Sequence, residues 1–168
     1  MSFDLSQALK DLGITQDAIE ACPMPVCEEC TDLVDAGLDL FDRPQKMTRQ
    51  TLDAWLTMKA AAQSEGLELN LVSAHRSIEY QCELIRQKLE AGRSIDDILQ
   101  VNAIPGYSEH HTGRALDLHA GDGKPLELEF EQHPAFIWLC DNAIRFNFHL
   151  SYPRGNPEGI DYEPWHWC

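Results

Sequence analysis

The apolar positions of this chain follow a helical period in some segments and alternate with polar residues in others. Apolar residues spaced three and four apart predict helices, and Ser, Thr or Pro at the first position supports several of the starting points. The predicted helices cover residues 4–21 (two short helices separated by Gly13), 48–65, 77–91, 94–99 and 134–145. The longest of them is followed by Gly66, a residue that suits the position just after a helix.

Segments in which apolar and polar residues alternate lie between these helices and predict short strands. One or two strands are predicted within residues 31–47, ending before Pro44, and others at 67–72, 114–119, 146–150 and the last residues. Helices come first, and strands then mix with helices without a regular strand–helix repeat. This order favours an α+β fold, with a central and mainly antiparallel sheet flanked by helices, over a parallel sheet.

The length of the chain, 168 residues, fits a single domain with its own core. We expect residues 1–46 to form an extension, made of the N-terminal helices and a cysteine-containing segment, that packs on this domain. Residues 47–168 then form the core of the domain, since they hold most of the predicted strands and the longer helices.

The chain is strongly acidic, with 28 Asp and Glu residues against 13 Lys and Arg residues and a formal net charge of −15. Such a surface repels nucleic-acid phosphates and anionic lipids, so we expect neither as a partner. No apolar run is long enough to span a membrane, and Met1–Ser6 lacks the basic start of a signal peptide. These features predict a cytoplasmic protein, or a periplasmic one if a signal peptide has been removed.

Three of the six cysteines form a C-x4-C-x2-C pattern at Cys22, Cys27 and Cys30. Such a pattern can hold a structural zinc ion or an iron–sulfur cluster when a fourth ligand completes it. The absence of a well-placed fourth cysteine and the neighbouring acids Glu28 and Glu29 argue against a cluster. Reduced thiols are the expected state in a cytoplasmic protein.

The candidate metal ligands concentrate between residues 108 and 119, where three histidines accompany one aspartate. The strand period places Asp117 and His119 on one face, while the leucines on either side of Asp117 point into the core. His110 precedes this strand, and a glycine between them allows both side chains to converge. His111 and His119 remain competitors for the ligand role. The alternative is that all three histidines are ordinary surface residues.

A second group of polar side chains lies near the end of the chain, in Glu163-Pro164-Trp165-His166. Pro164 keeps Glu163 out of the helical region, so the two side chains cannot share a helix face as in a H-E-x-x-H motif. A bent strand would direct His166 towards a metal ion and Glu163 towards a water molecule beside it. The alternative is an aromatic strand with incidental polar neighbours.

Arg76 follows the predicted strand 67–72 and is the natural cation of a cleft at the strand ends. A guanidinium group can neutralise an oxyanion or bind a carboxylate through two hydrogen bonds. The alternative is a surface ion pair, which is easily formed in so acidic a protein.

Three motifs in this order resemble the zinc D-alanyl-D-alanine carboxypeptidases of the vancomycin-resistance type. They are S-A-H-R-S at residues 73–77 with Gln81, S-x-H-x-x-G-x-A-x-D at 108–117, and E-P-W-H at 163–166. The resemblance covers about residues 47–167 and extends to D,D-dipeptidases, phage L-alanyl-D-glutamate endopeptidases and the hedgehog signalling domain fold. Two features depart from the family: His75 replaces a more usual Tyr or Phe, and the chain ends early, at Cys168.

The resemblance assigns roles to seven residues. It implies zinc ligands at His110, Asp117 and His166, a catalytic base at Glu163, transition-state or substrate contacts by Arg76, and substrate contacts by Ser108 and Gln81. His110 is thereby preferred to His111, and His119 becomes a residue near the ligands or in the cleft.

The implied activity is the hydrolysis of D-Ala-D-Ala-type bonds in peptidoglycan stem peptides, with one zinc ion per chain activating a water molecule for Glu163. Two alternatives stay open: an endolysin-like L-alanyl-D-glutamate endopeptidase, and a catalytically silent module that binds cell-wall peptides. The substrate in each case is a peptide derived from peptidoglycan.

Overall fold

Six α-helices and five short strands make up the regular structure of residues 3–168, the part of the chain that the computed structural model describes. Met1 and Ser2, the start of the segment from which the localisation was predicted, lie outside it. The helices are α1 (Leu5–Asp11), α2 (Gln16–Glu20), α3 (Arg49–Ser64), α4 (Ile78–Glu90), α5 (Ile95–Val101) and α6 (Pro134–Asn142). The strands are β1 (Val34–Leu38), β2 (Pro44–Met47), β3 (Asn70–Ser73), β4 (Leu116–His119) and β5 (His166–Trp167). Short 3₁₀ helices cover Glu109–Thr112, Leu128–Gln132 and Ala143–Phe146.

The predicted helix starts are confirmed by hydroxyl side chains that accept hydrogen bonds from the first turn. Thr15, Thr48, Ser77 and Ser94 each accept from the backbone N–H three residues further on. Such a bond pairs one of the backbone donors that a helix leaves free at its N-terminus. After α3, Gly66 takes a positive φ of 79°, which an L side chain would oppose.

The central sheet has three strands in the order β3–β4–β5, and both pairs are antiparallel. Ser73 lies opposite Asp117, and Asp117 lies opposite His166 on the other side. A separate antiparallel hairpin joins β1 to β2. The α+β fold with a mainly antiparallel sheet is therefore confirmed, and its register brings the end of the chain beside β4.

One face of this sheet packs on helices α3 and α6 to form the main core. Leu116 and Leu118 of β4 are fully buried there, together with Trp55 of α3 and Leu139 of α6. Burial of one such side chain is worth about 1.5–3 kcal/mol. The core therefore fixes the position of β4, and with it that of Asp117.

The N-terminal extension packs on the rest of the chain through several contacts. Helix α1 shares a second apolar cluster with α4 and α5. Further on, the N–H of Cys27 donates to the carbonyl of Gly106, and the N–H of Cys30 donates to the carbonyl of His111. The extension thus lies against the loop that carries the candidate ligands. Strand β2 crosses the predicted boundary between residues 46 and 47.

Three strand predictions differ from the structure. Residues 146–150 form no strand: a 3₁₀ helix ends at Phe146, Asn147 has a positive φ of 62°, and one isolated bridge joins Leu150 to Trp167. A left-handed residue reverses the local chain direction, so the alternation of apolar residues does not extend into a strand. Strand β2 begins at Pro44, where the preceding strand was expected to have ended. The strand predicted at 67–72 is shifted to Asn70–Ser73.

Helix α6 also ends earlier than predicted, since the segment after Asn142 continues as a 3₁₀ helix. Within residues 3–168, each helix is too short or too polar to cross a membrane.

Candidate metal centre and cleft

Three buried side chains, His110, Asp117 and His166, converge at the edge where β4 and β5 pair. One donor atom from each lies within 4.8 Å of the others. Asp117 Oδ1 is 3.2 Å from His110 Nε2 and 3.3 Å from His166 Nδ1. Within residues 3–168 this is the one group of three or more His, Cys, Asp or Glu residues with such spacing. The sequence-predicted ligands are thus brought together.

Each histidine of this group is oriented by a hydrogen bond at its other nitrogen. His110 Nδ1 lies 2.6 Å from the carbonyl oxygen of Ala74, which can only accept, so Nδ1 carries the hydrogen. His166 Nε2 donates to the Glu109 carboxylate at 2.8 Å, and the hydroxyl of Ser151 donates to the same carboxylate oxygen at 2.7 Å. Such outer contacts fix the tautomer and the ring plane of metal-binding histidines.

This donor set fits a zinc ion. Two tetrahedral ligands, each about 2.0–2.1 Å from zinc, lie roughly 3.3 Å apart, close to the two separations measured at Asp117. Burial first, and then the charge of Arg76, lowers the pKa of His110 to about 4, so its ring is neutral near pH 7. Because Nδ1 carries the hydrogen, Nε2 and Asp117 Oδ1 present lone pairs to each other. A cation between them would relieve that repulsion.

The pKa values of the other two members also favour a cation at this point. Burial disfavours charge on His166, but hydrogen bonds with Asp117 and Glu109 outweigh it and raise its pKa to about 10. Burial likewise opposes ionisation of Asp117, yet its close contacts with His110 and His166 hold its pKa far below the usual value. A proton on His166 Nδ1 and a metal ion would each place a positive charge beside Asp117. Binding of the metal ion would therefore release that proton.

The competing histidines are held elsewhere. His111 is fully buried, and both of its nitrogens are used: Nδ1 donates to the carbonyl of Arg76 at 2.7 Å, and Nε2 accepts from the N–H of Gly106 at 3.1 Å. His119 is buried beside Phe130, at 6.0 Å between ring centroids, and lines a separate cavity of about 420 Å³. Neither histidine belongs to the group of three ligands.

Glu163 lies next to the metal-binding group, with Oε2 at 3.7 Å from His166 Nδ1. Its side chain is almost fully buried, and this burial is the main reason why its pKa rises to about 7. The charge of His166 lowers the pKa, whereas the negative charge of Asp117 raises it. A carboxyl group that changes protonation near pH 7 can both accept and return a proton.

A cleft of about 470 Å³ opens beside these residues, and Asp117 and Glu163 line it. Arg76 lines the same cleft, and its buried Nε has no hydrogen-bond partner within residues 3–168. Its backbone is held by two histidines, since its N–H donates to the carbonyl of His110 and its carbonyl accepts from His111. The structure thus places this cation where the sequence located it, in the cleft after β3.

Ser108 and Gln81, the other predicted substrate contacts, are almost fully buried and are not among the residues that line this cleft. The Ser108 hydroxyl accepts from the N–H of His110 at 3.3 Å, which supports the start of the 3₁₀ helix that carries the ligand. Gln81 donates to the carbonyl of Ala103 at 3.0 Å. Their contacts with substrate stay a prediction.

The cysteine pattern contributes no further ligand group within residues 3–168. All six thiols are free, and Cys22, Cys27 and Cys30 do not meet the spacing that the histidine–aspartate group meets.

Glu109 is the residue that sequence reasoning missed. No role was assigned to it from the sequence, although its carboxylate holds His166 from 57 residues away. The position between a capping serine and a candidate ligand was the one available signal, and it gave no indication of the distant partner.

Comparison with known proteins agrees with this geometry. A family model described as VanY, D-alanyl-D-alanine carboxypeptidase, matches residues 44–168. YodJ of Bacillus subtilis (strain 168) is 35% identical over 153 residues, which are 85% of this chain and 55% of YodJ. The chain therefore spans about half the length of this relative.

Two solved structures are similar to the chain over most of its length. The LdcB LD-carboxypeptidase has a TM-score of 0.74 and 31% identity, covering 85% of this chain and 70% of its own. A mutant of the vancomycin resistance D,D-pentapeptidase VanY, solved in complex with Zn(II), has a TM-score of 0.60 and 22% identity, covering 88% and 79%. The second comparison is evidence for the fold.

Proposed function

The chain belongs to the VanY family of D-alanyl-D-alanine carboxypeptidases, and from this premise we propose that it is a zinc-dependent peptidase acting on peptidoglycan stem peptides. The bond that we propose as its target is the D-Ala-D-Ala bond at the carboxyl end of the stem. The observation that carries this proposal is the convergence of His110, Asp117 and His166 beside a buried carboxyl group, Glu163, at the wall of a cleft.

Zinc would be held by His110 Nε2, Asp117 Oδ1 and His166 Nδ1. When bound, it supplies a Lewis acid that polarises the peptide carbonyl and makes a water molecule acidic. The match between the two measured ligand separations and tetrahedral zinc supports this choice of metal. The Zn(II) complex of the structurally similar VanY supports it at the level of the fold.

Glu163 is proposed as the general base and then the general acid. It takes a proton from the water molecule that attacks the peptide carbonyl and gives that proton to the leaving amine when the C–N bond breaks. The sum of the two steps adds one water molecule across the peptide bond. Burial raises the pKa of Glu163, which makes its carboxylate a stronger base for the first transfer.

Arg76 is proposed to stabilise the negative charge that develops on the carbonyl oxygen. Its guanidinium has a buried N–H that no acceptor of residues 3–168 occupies, and it lies in the same cleft as Glu163, so it can donate to an anion there. Preorganised donors of this kind commonly contribute about a hundredfold or more to turnover. Ser108 and Gln81 are proposed as substrate contacts because the matching motifs of the family include them.

A second candidate is an L,D-carboxypeptidase, which removes a single D-alanine from a stem tetrapeptide. It is favoured by the likeness to LdcB, named as an LD-carboxypeptidase, at 31% identity and a TM-score of 0.74. The same zinc site and base would serve either reaction, since both bonds release a carboxyl-terminal D-alanine and differ in the residue before it, which is a D-alanine in one and an L residue in the other.

The test is to incubate the zinc-loaded protein with D-Ala-D-Ala, a stem tetrapeptide, a stem pentapeptide and intact muropeptides, and to identify the products by mass. Release of one D-alanine from the pentapeptide supports the first proposal, and release from the tetrapeptide supports the second. Cleavage between L-alanine and D-glutamate would identify an endopeptidase instead. Binding of peptides without any product, in protein of measured zinc content, would contradict a peptidase and favour a binding module.

A further inference from the structure

Lys88 is a half-buried cation at the wall of the cleft that contains the metal-binding group. It lies on α4 and lines the same space of about 470 Å³ as Asp117 and Glu163. Its ammonium group donates to Asn102 Oδ1 at 2.9 Å. No carboxylate oxygen of residues 3–168 lies within 4 Å of its Nζ.

The partner of Lys88 is neutral and firmly held. Asn102 is buried, and its Nδ2 donates to the carbonyl of Ile98 at 3.0 Å. This bond directs the amide oxygen of Asn102 towards Lys88. An ammonium group has three N–H donors, and Asn102 accepts from one of them, so two donors have no protein acceptor within the described chain.

A lysine with no carboxylate oxygen of residues 3–168 within 4 Å is unexpected in this protein, because acidic residues outnumber basic ones by 28 to 13. Arg76, the other cation of the cleft without a carboxylate within 4 Å in residues 3–168, lines the same wall. Burial, followed by the charges of Arg93 and Arg76, lowers the pKa of Lys88, whereas the charge of Glu163 raises it. A partly desolvated cation of this kind gains more from an anion than an exposed one does.

We propose that Lys88, held in place by Asn102, forms a subsite that binds a carboxylate group of the substrate. The inference rests on the proposed function, since it takes the cleft beside Glu163 to be the place where the peptide lies. A stem pentapeptide carries two such groups: its C-terminal carboxylate and the free carboxylate of the γ-linked D-glutamate. Lys88 would bind one of them and thereby fix the register of the peptide.

Two other roles of Lys88 make different predictions. As a structural link between α4 and α5, through Asn102, it would affect every peptide equally and would lower stability. As a charge that acts on Glu163, it would change the turnover of every peptide and not the preference among them. A carboxylate subsite alone predicts an effect that disappears when the matching carboxylate of the peptide is neutralised.

The experiment compares four forms of one pentapeptide, L-Ala-γ-D-Glu-L-Lys-D-Ala-D-Ala: unmodified, amidated at the C-terminus, amidated at the D-glutamate carboxylate, and amidated at both. KM is measured for each peptide that is cleaved, and Ki for each that is not, with zinc-loaded wild type, Lys88→Met and Lys88→Arg. Lys10→Met, which removes an exposed lysine of α1, is the matched control. Thermal unfolding of each variant shows that the fold is retained.

For Lys88→Met we expect KM for the unmodified peptide to rise about tenfold or more, with a smaller change in kcat, because a charge-assisted contact is lost. KM or Ki should be the same in Lys88→Met and wild type for the doubly amidated peptide. The same should hold for one of the two singly amidated peptides, and the position of its amide identifies the carboxylate that Lys88 binds. Lys88→Arg should retain most of the wild-type preference for peptides that carry this carboxylate, and Lys10→Met should retain all of it. An equal effect on all four peptides, or no effect on any, would overturn the subsite.

Failure of the proposed function gives a different result. If the wild-type protein cleaves none of the four peptides, the peptidase proposal fails, and the dissociation constants of the same peptides then decide the role of Lys88. Weaker binding to Lys88→Met of the peptides that carry one particular carboxylate would support the subsite. Equal binding of all four forms by wild type would overturn it.

Discussion

The carboxylate of Glu109 accepts a hydrogen bond from Nε2 of His166 at 2.8 Å, across 57 positions of sequence. Ser151 donates to the same carboxylate oxygen, so the acceptor itself is held in place. Asp117 lies on the other side of the His166 ring, 3.3 Å from Nδ1. The ring of this proposed ligand is therefore fixed from both sides, and one residue of the ligand loop orients a ligand from the end of the chain.

Glu109→Gln should weaken zinc binding by about tenfold or more, because a neutral amide makes the His166 ring a poorer donor and fixes it less firmly. The dissociation constant for zinc, measured by competition with a chromophoric chelator, tests this independently of activity. Glu90→Gln, an exposed substitution at the end of α4, serves as the control. An affinity within twofold of wild type in Glu109→Gln would show that the negative charge of Glu109 is not needed to hold the ring.

Glu163→Gln should reduce kcat by about a hundredfold or more while the zinc content stays at the wild-type level. The amide keeps the size of the side chain but cannot accept a proton from water. The measurement pairs steady-state kinetics with elemental analysis of the same sample. Near wild-type turnover in zinc-replete Glu163→Gln would exclude Glu163 as the base.

Asp39 offers a test that does not involve the metal site. Its buried carboxylate accepts from the N–H groups of Phe41 and Arg43 and from the side chains of Arg43 and Gln45. Burial alone would raise the pKa of Asp39, but these hydrogen bonds lower it below the usual value. Since the folded protein holds the ionised form more strongly, the carboxylate stabilises the fold above its unfolded pKa of about 3.9.

Asp39→Asn should therefore lower the free energy of unfolding at pH 7 by about 1–3 kcal/mol, because its amide N–H₂ would face the donors of Arg43 and Gln45. The difference from wild type should shrink as the pH falls from about 4 through the lowered pKa of Asp39, where the wild-type carboxyl also becomes neutral. Urea unfolding of both proteins at several pH values measures it. A difference that stays constant from pH 7 to the acid limb would contradict this origin.

The parts of the site that the sequence predicted are those set by local period. Alternation along β4 correctly directed Leu116 and Leu118 into the core and Asp117 to the opposite side. Hydroxyl residues likewise predicted the helix starts, because a capping side chain accepts a hydrogen bond from a backbone N–H only three residues further on. The prediction of a strand at residues 146–150 was wrong, because the alternation of apolar residues does not reveal the left-handed backbone at Asn147.

The rest of the site depends on contacts between distant segments. Glu109 and His166 meet only because β5 pairs with β4, and no local pattern shows that pairing. In the sequence, Lys88 is an ordinary helix residue. Only the assembled cleft shows that no carboxylate of residues 3–168 lies within 4 Å of its ammonium group. Tertiary neighbours, which local spacing does not encode, decide which polar residues are partners.

His110 and His111 give the sharpest test of the ligand assignment, because they are adjacent and both fully buried. His110 directs Nε2 to Asp117, whereas His111 uses both nitrogens to join the backbone of Arg76 to that of Gly106. His110→Ala should therefore lose most zinc affinity, since one of three ligands is removed. His111→Ala should retain zinc binding and instead lose about 2 kcal/mol of stability, because buried backbone groups lose their partners.

Zinc titration and urea unfolding of the two variants, each measured in the presence and the absence of zinc, separate these outcomes. Zinc should stabilise wild type and His111→Ala by similar amounts and His110→Ala very little, because only the folded site binds the ion. The reverse pattern, with zinc stabilisation lost in His111→Ala alone, would move the ligand role to His111. It would also require the 3₁₀ helix at Glu109–Thr112 to rotate, since His111 now directs both nitrogens to the backbone.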